Sequence, residues 1–457
     1  MMKTTHHSDF ISQNTGRLIF GVFLILLTLL FNTGCSRKSA TAAVDIIDYQ
    51  MDVLYKSAKH FQIMATITAE MNAPADQLSV FLNPTAKISA IQMELSGTWQ
   101  NTEYSVSEDK ILIHMHGLQK TKKCRIRFNY ILPIVEPIDD FFYMDRGNRW
   151  YPLILDDVAK VRISAVVPSR YAMFSGGNLV ESKLADDFST YEWETQIPVF
   201  KIPFILMKPD RYHQITKECG DKELVYYFFQ DTTDSNKKII EEACRTFQFL
   251  NDRIGPYPHR QFTVIEMDMF QNYSFITTGL VLTSSDFIRQ FRKGDYEGLQ
   301  LPIATQWFGA NVFGKFEDTG FWFFTLSFPH YLRLMYLEST KGEETFFKEL
   351  QAPYDRYLEY ADTEDDLPIL SIDRLNTPAK GYTIIGKGPF LLDELREKLG
   401  DDKWQELLRS LYKTYHGNIM TYDAFMGTLT SVGNEKIAHD FEEMVQSLGD
   451  IRSEYRF

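Results

Sequence analysis

Ten histidines and 61 acidic side chains give this 457-residue chain ample material for a metal or acid–base site. Totals decide nothing, because a metal needs its donors to converge on one point. His114 and His116 stand two apart where Ile111, Ile113 and Met115 alternate with Leu112, His114 and His116. A period of two is that of a strand, so both imidazoles leave one face, and two solvent-facing histidines is a plainer reading than a metal pair. Asp362, Glu364, Asp365 and Asp366 read as a solvated loop, with calcium as the minor option. Trp322-Phe323-Phe324 has the makings of a cleft floor, but core packing accounts for such a cluster more simply. Gly386-Lys387-Gly388 is too short for a nucleotide site, and the chain has no glycine-rich phosphate loop and no nucleophile elbow. The net charge of −13 excludes nucleic acid as a main partner, since phosphate binding needs a basic face. Lys120, Lys122 and Lys123 read as an exposed hairpin rather than a binding patch.

The elements that would position such residues fall into two halves. Residues 46–212 are strand-like: Val161 to Val167 alternates before Pro168, and Gly176-Gly177-Asn178 and Met207-Lys208-Pro209-Asp210 mark turns. This half predicts an antiparallel sandwich or saddle. From about residue 236 the period becomes helical. Ser235 can cap a helix carrying Ile239, Ile240, Ala243, Phe247 and Leu250. Later stripes are Leu391, Leu392, Leu395 and Leu399, stopping at Gly400; then Trp404, Leu407, Leu408 and Leu411. Thr421 can cap a helix with Phe425 and Leu429, and a last one carries Ile437, Phe441, Met444 and Leu448. Strands first and helices later make an α+β protein, here divided at 46–212 and 213–457, with a helical bundle at the end.

The amino end reads as an address. Leu18 to Phe31 is apolar apart from Gly21 and Thr28, follows Arg17, and is too short for a bilayer span of about 20 residues. Thr33-Gly34-Cys35 behind it resembles a bacterial lipoprotein signal, which implies that Cys35 is lipidated and becomes the first residue; Asn32 departs from the aliphatic residue such signals carry. The rivals are cleavage after Ala40-Thr41-Ala42, weakened by Arg37 and Lys38, and an uncleaved anchor, weakened by the shortness of the run. The expectation is a signal over 1–34, a linker over 35–45, and a cell-envelope protein held to the membrane by lipid, facing periplasm or exterior. Cys124, Cys219 and Cys244 would then remain. Their odd number forbids complete internal pairing; a Cys219–Cys244 bridge is open, and three buried free thiols is the favoured reading.

Three further stretches resemble the aminopeptidase N family of zinc peptidases, whose catalytic domain is thermolysin-like. Arg149-Trp150-Tyr151-Pro152, Val166-Val167-Pro168 and Gly176-Gly177-Asn178 are similar to segments of its β domain. Gln306-Trp307-Phe308-Gly309 matches the tetrapeptide that directly follows the family's zinc helix, His-Glu-x-x-His-Gln-Trp-Phe-Gly. Lys387 and Gly388, with the helices behind them, resemble its Tyr-x-Lys-Gly segment and tail. Gly279-Leu280-Val281 falls where the family's substrate-clasping strand continues.

The resemblance implies a zinc site, and each position can be read for it. The two ligand histidines and the general-base glutamate fall at Leu301, Thr305 and Pro302, the third ligand at Phe324, the amine-anchoring glutamate at Ile276 and the oxyanion tyrosine at Ile385. Nowhere does the chain contain His-Glu-x-x-His, and His330 is the only histidine between His259 and His416. Two imidazoles four apart are what places both donors on one helical face, so a shifted register does not restore the site. A buried carboxylate or imidazole without its metal is costly, which favours apolar replacements. Pro302 suggests that this helix begins later, since proline suits a first turn. Tyr382 could bring a hydroxyl to the region but carries little weight without a metal. The expectation is a pseudopeptidase that binds a peptide or an envelope protein, or scaffolds one, with no cofactor. The competing reading is an active metallo-aminopeptidase or other hydrolase, with zinc, at a non-standard site; a third is a structural subunit without ligand.

Overall fold

The computed structural model describes residues 44–451 except 58, 72–75, 116–122, 135–139, 232, 269–273 and 317. The signal, Cys35, His116, Lys120 and Lys122 lie outside the described residues. Of the expected linker, Val44 and Asp45 already belong to the first strand, Val44–Ser57.

The amino-terminal half is built on an eight-stranded sheet in the order Asn178–Lys183, Phe188–Glu194, Lys160–Pro168, Val44–Ser57, His60–Met71, Lys123–Pro133, Lys87–Leu95, Thr98–Asn101. Inward residues alternate along Lys160–Pro168, where Val161, Ile163, Ala165 and Val167 are buried. The sheet is not wholly antiparallel, since Val44–Ser57 pairs with Lys160–Pro168 in parallel, Met51 opposite Ile163. The intervening hairpins and loops supply the crossover that a parallel pair requires, which alternation alone does not reveal. Two three-stranded sheets close the inner face around Trp150, Tyr151 and Phe204.

The second half opens with a five-stranded sheet, His213–Cys219, Lys222–Phe228, Gln261–Met267, Leu280–Ser284 and Ser274–Thr277 in spatial order. One face of it belongs to each core. Phe262, Val264 and Val281 pack with the helices, while Ile265, Met267, Leu280 and Leu282 pack with the β half. Burial on both faces gives continuous apolar runs rather than alternation, so this sheet leaves little periodic signal.

Ten helices accompany it among the described residues: α1 Thr233–Arg253, α2 Ser285–Arg292, α3 Glu297–Ala304, α4 Phe328–Lys341, α5 Glu343–Leu358, α6 Pro378–Tyr382, α7 Gly388–Leu399, α8 Asp401–Tyr415, α9 Tyr422–Val432 and α10 Glu435–Gln446. The stripes of α7 and α8 are buried as their spacing requires, and Thr421 caps α9 by accepting from Ala424 N–H. Ser235 lies inside α1 rather than at its cap, and Leu448 lies beyond α10, exposed.

Cys219 and Cys244 are bonded across the end of the first strand of this sheet and α1, which corrects the expectation of free thiols; Cys124 is the free, buried one. The strand's last residue and the middle of the helix covering it bring the two Cα atoms to 5.7 Å, a typical bridging distance.

Candidate functional site

The helix expected to carry the metal chemistry is α3. Pro302 stands in its last turn, not its first, so the helix begins earlier than expected and ends soon after the proline. A proline removes one ladder hydrogen bond, which matters least where the helix is about to stop. The last α-type bond runs from Thr305 N–H to Leu301 O at 2.9 Å, and Thr305 Oγ1 donates to the same carbonyl at 2.9 Å. The preceding residue, Gln300, donates through Nε2 to Glu242 Oε1 of α1 at 2.8 Å. Tyr336 of α4 donates to that oxygen at 2.9 Å, and Arg245 Nη2 to Glu242 Oε2 at 2.7 Å. This buried carboxylate, which the sequence reading missed, clamps α1, α3 and α4 together, and its lone pairs are committed.

Each residue of the Gln306-Trp307-Phe308-Gly309 turn has a packing task. Gln306 Oε1 accepts Gly279 N–H at 2.9 Å and its Nε2 donates to Thr277 O at 3.1 Å, so it holds the turn after Ser274–Thr277 against α3. Trp307 donates through Nε1 to Gly255 O at 2.9 Å and packs edge-on to Phe247, centroids 5.1 Å apart. Phe308 stacks on Phe328 at 5.0 Å. Gly309 has φ +111°, and a Cβ there would lie 3.0 Å from both Thr305 Cγ2 and Thr325 O. That contact also places Thr305 beside the segment that carries Phe324.

Phe324 and Ile385 lie on two π-helical turns, Phe323–Ser327 and Thr383–Lys387. Phe328 N–H donates to Phe323 O and Gly388 N–H to Thr383 O, five residues back. Each turn is followed by a proline in the next helix, Pro329 and Pro389. A proline cannot donate to the α ladder and its ring crowds the carbonyl four residues earlier; widening the turn relieves both. Ser327 Oγ donates to Ile384 O at 2.6 Å and joins the two turns. A Cβ on Gly388 would lie 2.0 Å from Ser327 Oγ, so this crossing leaves room only for glycine.

Phe324 is 1 % exposed and Trp322 9 %. Phe324 packs on Phe323, Phe328 and Phe425 with centroids 5.5 to 5.8 Å away, which makes it core. Trp322 donates its indole N–H to Asp373 O at 3.1 Å. Leu301, Ile276 and Ile385 are half-buried. Ile276 turns toward the helical core, while its neighbour Phe275 packs on Tyr143 of the β half at 4.8 Å. Tyr382 stacks on Tyr360, and burial raises its hydroxyl pKa. His330, on α4, is pulled down to about 3 by burial and by nearby Arg333, so it is neutral at physiological pH. His114 Nδ1 lies 3.4 Å from Gln77 Nε2 at a sheet rim.

Lys387 is fully buried. Its Nζ donates to Tyr357 Oη at 3.0 Å and to Ser447 O at 2.5 Å. Tyr357 in turn donates to Asp366 Oδ1 at 3.0 Å, and Asp366 Oδ2 accepts Gly449 N–H at 2.7 Å. Burial lowers the Lys387 amine to about 8, with Asp366 and Asp362 acting in the opposite direction. Asp366 therefore belongs to a buried network that pins the segment after α10 and not to a solvated loop; Glu364 and Asp365 are exposed as expected.

Zinc is the metal that this architecture's resemblance implies, and the residues do not fit it. Leu301 and Phe324 offer no donor, and the Thr305 hydroxyl is already spent on Leu301 O. Among the described residues no three His, Cys, Asp or Glu side chains are grouped to hold a metal ion. What the arrangement does offer is a rigid junction of α3, two π turns and an edge strand, with its polar groups turned to structural use.

No protein-family model and no curated protein matches the sequence. Solved structures do match the fold. The M1 zinc metallopeptidase of Deinococcus radiodurans aligns over 89 % of this chain and 94 % of its own, with TM-score 0.70 and 18 % identity. A mutant of the M1 zinc metallopeptidase from that organism, bound to a Tyr-Ser-Ala substrate, aligns over 90 % and 96 %, with TM-score 0.69 and 17 % identity. A two-domain M1 zinc metallopeptidase mutant bound to L-arginine aligns over 89 % and 95 %, with TM-score 0.71 and 17 % identity. The chain thus has the α+β fold of these two-domain peptidases, a sheet-rich domain followed by a helical one.

Proposed function

We propose that this chain, which shares the fold of the M1 zinc metallopeptidases, is a pseudopeptidase: a lipid-anchored envelope protein that uses the peptidase shape for protein binding or scaffolding. The carrying observation is the division between what is kept and what is lost. Gln306, Trp307, Phe308, Gly309, Lys387 and Gly388 all make contacts that hold the fold together. Leu301, Pro302, Thr305, Phe324, Ile276 and Ile385, where the family's ligands, base, amine anchor and tyrosine fall, carry no acid, base or metal donor beyond one committed hydroxyl.

Burial of Phe324 and Trp322 favours a scaffold over a protein that holds a peptide in a cleft. A neighbouring envelope protein is the partner this reading implies, with no cofactor. The Cys219–Cys244 bond supports an oxidising compartment, as export would provide. The test is hydrolysis of aminoacyl chromogenic substrates by protein purified without chelator. No turnover above buffer is expected, with or without added zinc, and chelator-sensitive turnover would overturn the proposal. Mass spectrometry of the mature amino terminus tests the anchor: a lipid on Cys35 is expected, and an unmodified residue there would retire it.

A further inference from the structure

We infer that the groove between the end of α1 and the last turns of α8 binds a small anion of the phosphate or carboxylate class. The inference does not depend on the proposed function. The chain carries a net charge of −13, yet this cavity of about 340 Å³ is lined by Arg409, Lys413 and His416 against the lone carboxylate of Asp252. Its volume is at the small end of ligand pockets, which suits a phosphate monoester or a short dicarboxylate.

The walls are held before any ligand arrives. Arg409 donates through Nε to Arg253 O and through Nη2 to Asp252 O, both at 3.0 Å. These bonds cap the last carbonyls of α1, offset the negative end of its dipole, and leave Nη1 to the cavity. The Tyr412 hydroxyl donates to Pro256 O at 3.0 Å. The His416 ring lies against the Tyr412 ring, centroids 5.4 Å apart, with Nδ1 3.0 Å from Tyr412 O, so Nε2 is left over. The exposed Lys413 ammonium has no ion-pair partner among the described residues.

The rim is anchored at its far end as well: Gly417 N–H, next to His416, donates to Asn311 O at 2.6 Å, which ties the chain leaving α8 to the buried turn after α3.

The experiment is calorimetric titration of the full-length protein with inorganic phosphate and, separately, with succinate at constant ionic strength. Saturable binding of at least one anion is expected, weakened about tenfold in Lys413→Glu, which reverses an exposed charge without touching the Arg409 cap. Circular dichroism establishes that the variant folds. Binding of phosphate alone assigns a phosphate site, of succinate alone a carboxylate site, and of both the shared class. No saturable binding of either anion, or equal affinity in a folded Lys413→Glu, overturns the inference.

Discussion

His259 makes the stability of this fold sensitive to acid in a way that can be calculated. It is wholly buried, both ring nitrogens lack a partner, and burial, aided by Lys222, pulls its pKa from 6.5 to about 3. The folded state therefore holds the imidazole neutral across a window in which the unfolded chain protonates it. Stability from this residue is complete above about pH 6.5 and falls as pH drops toward 3. Each pH unit within the window is worth about 1.4 kcal/mol, so moving from pH 7 to pH 5 costs about 2 kcal/mol. Asp157 acts with the opposite sign: burial and Asp45 raise its carboxyl from 3.8 to about 9, so its contribution is full below about pH 3.8 and falls away as pH rises toward 9. A variant comparison separates the two. His259→Phe keeps an aromatic ring against Tyr257, whose centroid lies 5.5 Å away, and removes the titrating group. Urea unfolding at pH 7 and pH 5 should give a stability loss about 2 kcal/mol smaller in the variant than in the native protein. An equal loss in both would refute the assignment of the acid sensitivity to His259.

Removing the clamp on α3 should be equally measurable. Glu242→Ala strands Gln300, Tyr336 and Arg245 and should lower urea stability by about 3 kcal/mol. Cys244→Ser opens a bridge spanning 25 residues and should cost about 3.5 kcal/mol in the same assay, with reductant leaving the variant unaffected. In Gly386→Ala the new Cβ would lie 2.4 Å from Pro353 O, a backbone atom, so a loss of about 1–3 kcal/mol in thermal or urea unfolding is expected.

How legible these features are in the sequence follows from their physics. The stripe of α8 could be read because that helix has one face in the core and one in solvent, whereas α7, buried over most of its length, shows itself through its leucines. The five-stranded sheet could not, because Val264 and Ile265 are both buried, against different cores. Gln306-Trp307-Phe308-Gly309 could be located by its order of residues, but its work as a brace between Thr277, Gly279 and Gly255 appears only when distant segments meet. Glu242 shows locally only its pairing with Arg245 three residues on; the partners that make it a clamp lie 58 and 94 residues away in the chain. The π turns depend on Pro329 and Pro389, whose spacing after Phe324 and Ile385 is visible in the sequence; their consequence is legible once proline is read as crowding the carbonyl four residues back. Pro302 misled for a related reason, because proline is tolerated in a final turn as well as a first one.

The central claim concerns metal, and metal content of the purified protein tests it most directly. Full-length protein prepared without chelator and equilibrated with equimolar zinc, then freed of unbound ion, can be assayed by elemental analysis. With Leu301, Thr305 and Phe324 at the ligand positions, zinc should remain far below stoichiometric, since three protein donors are what a catalytic zinc site requires. About one tightly held zinc per chain, lost on substitution near α3, would contradict the account.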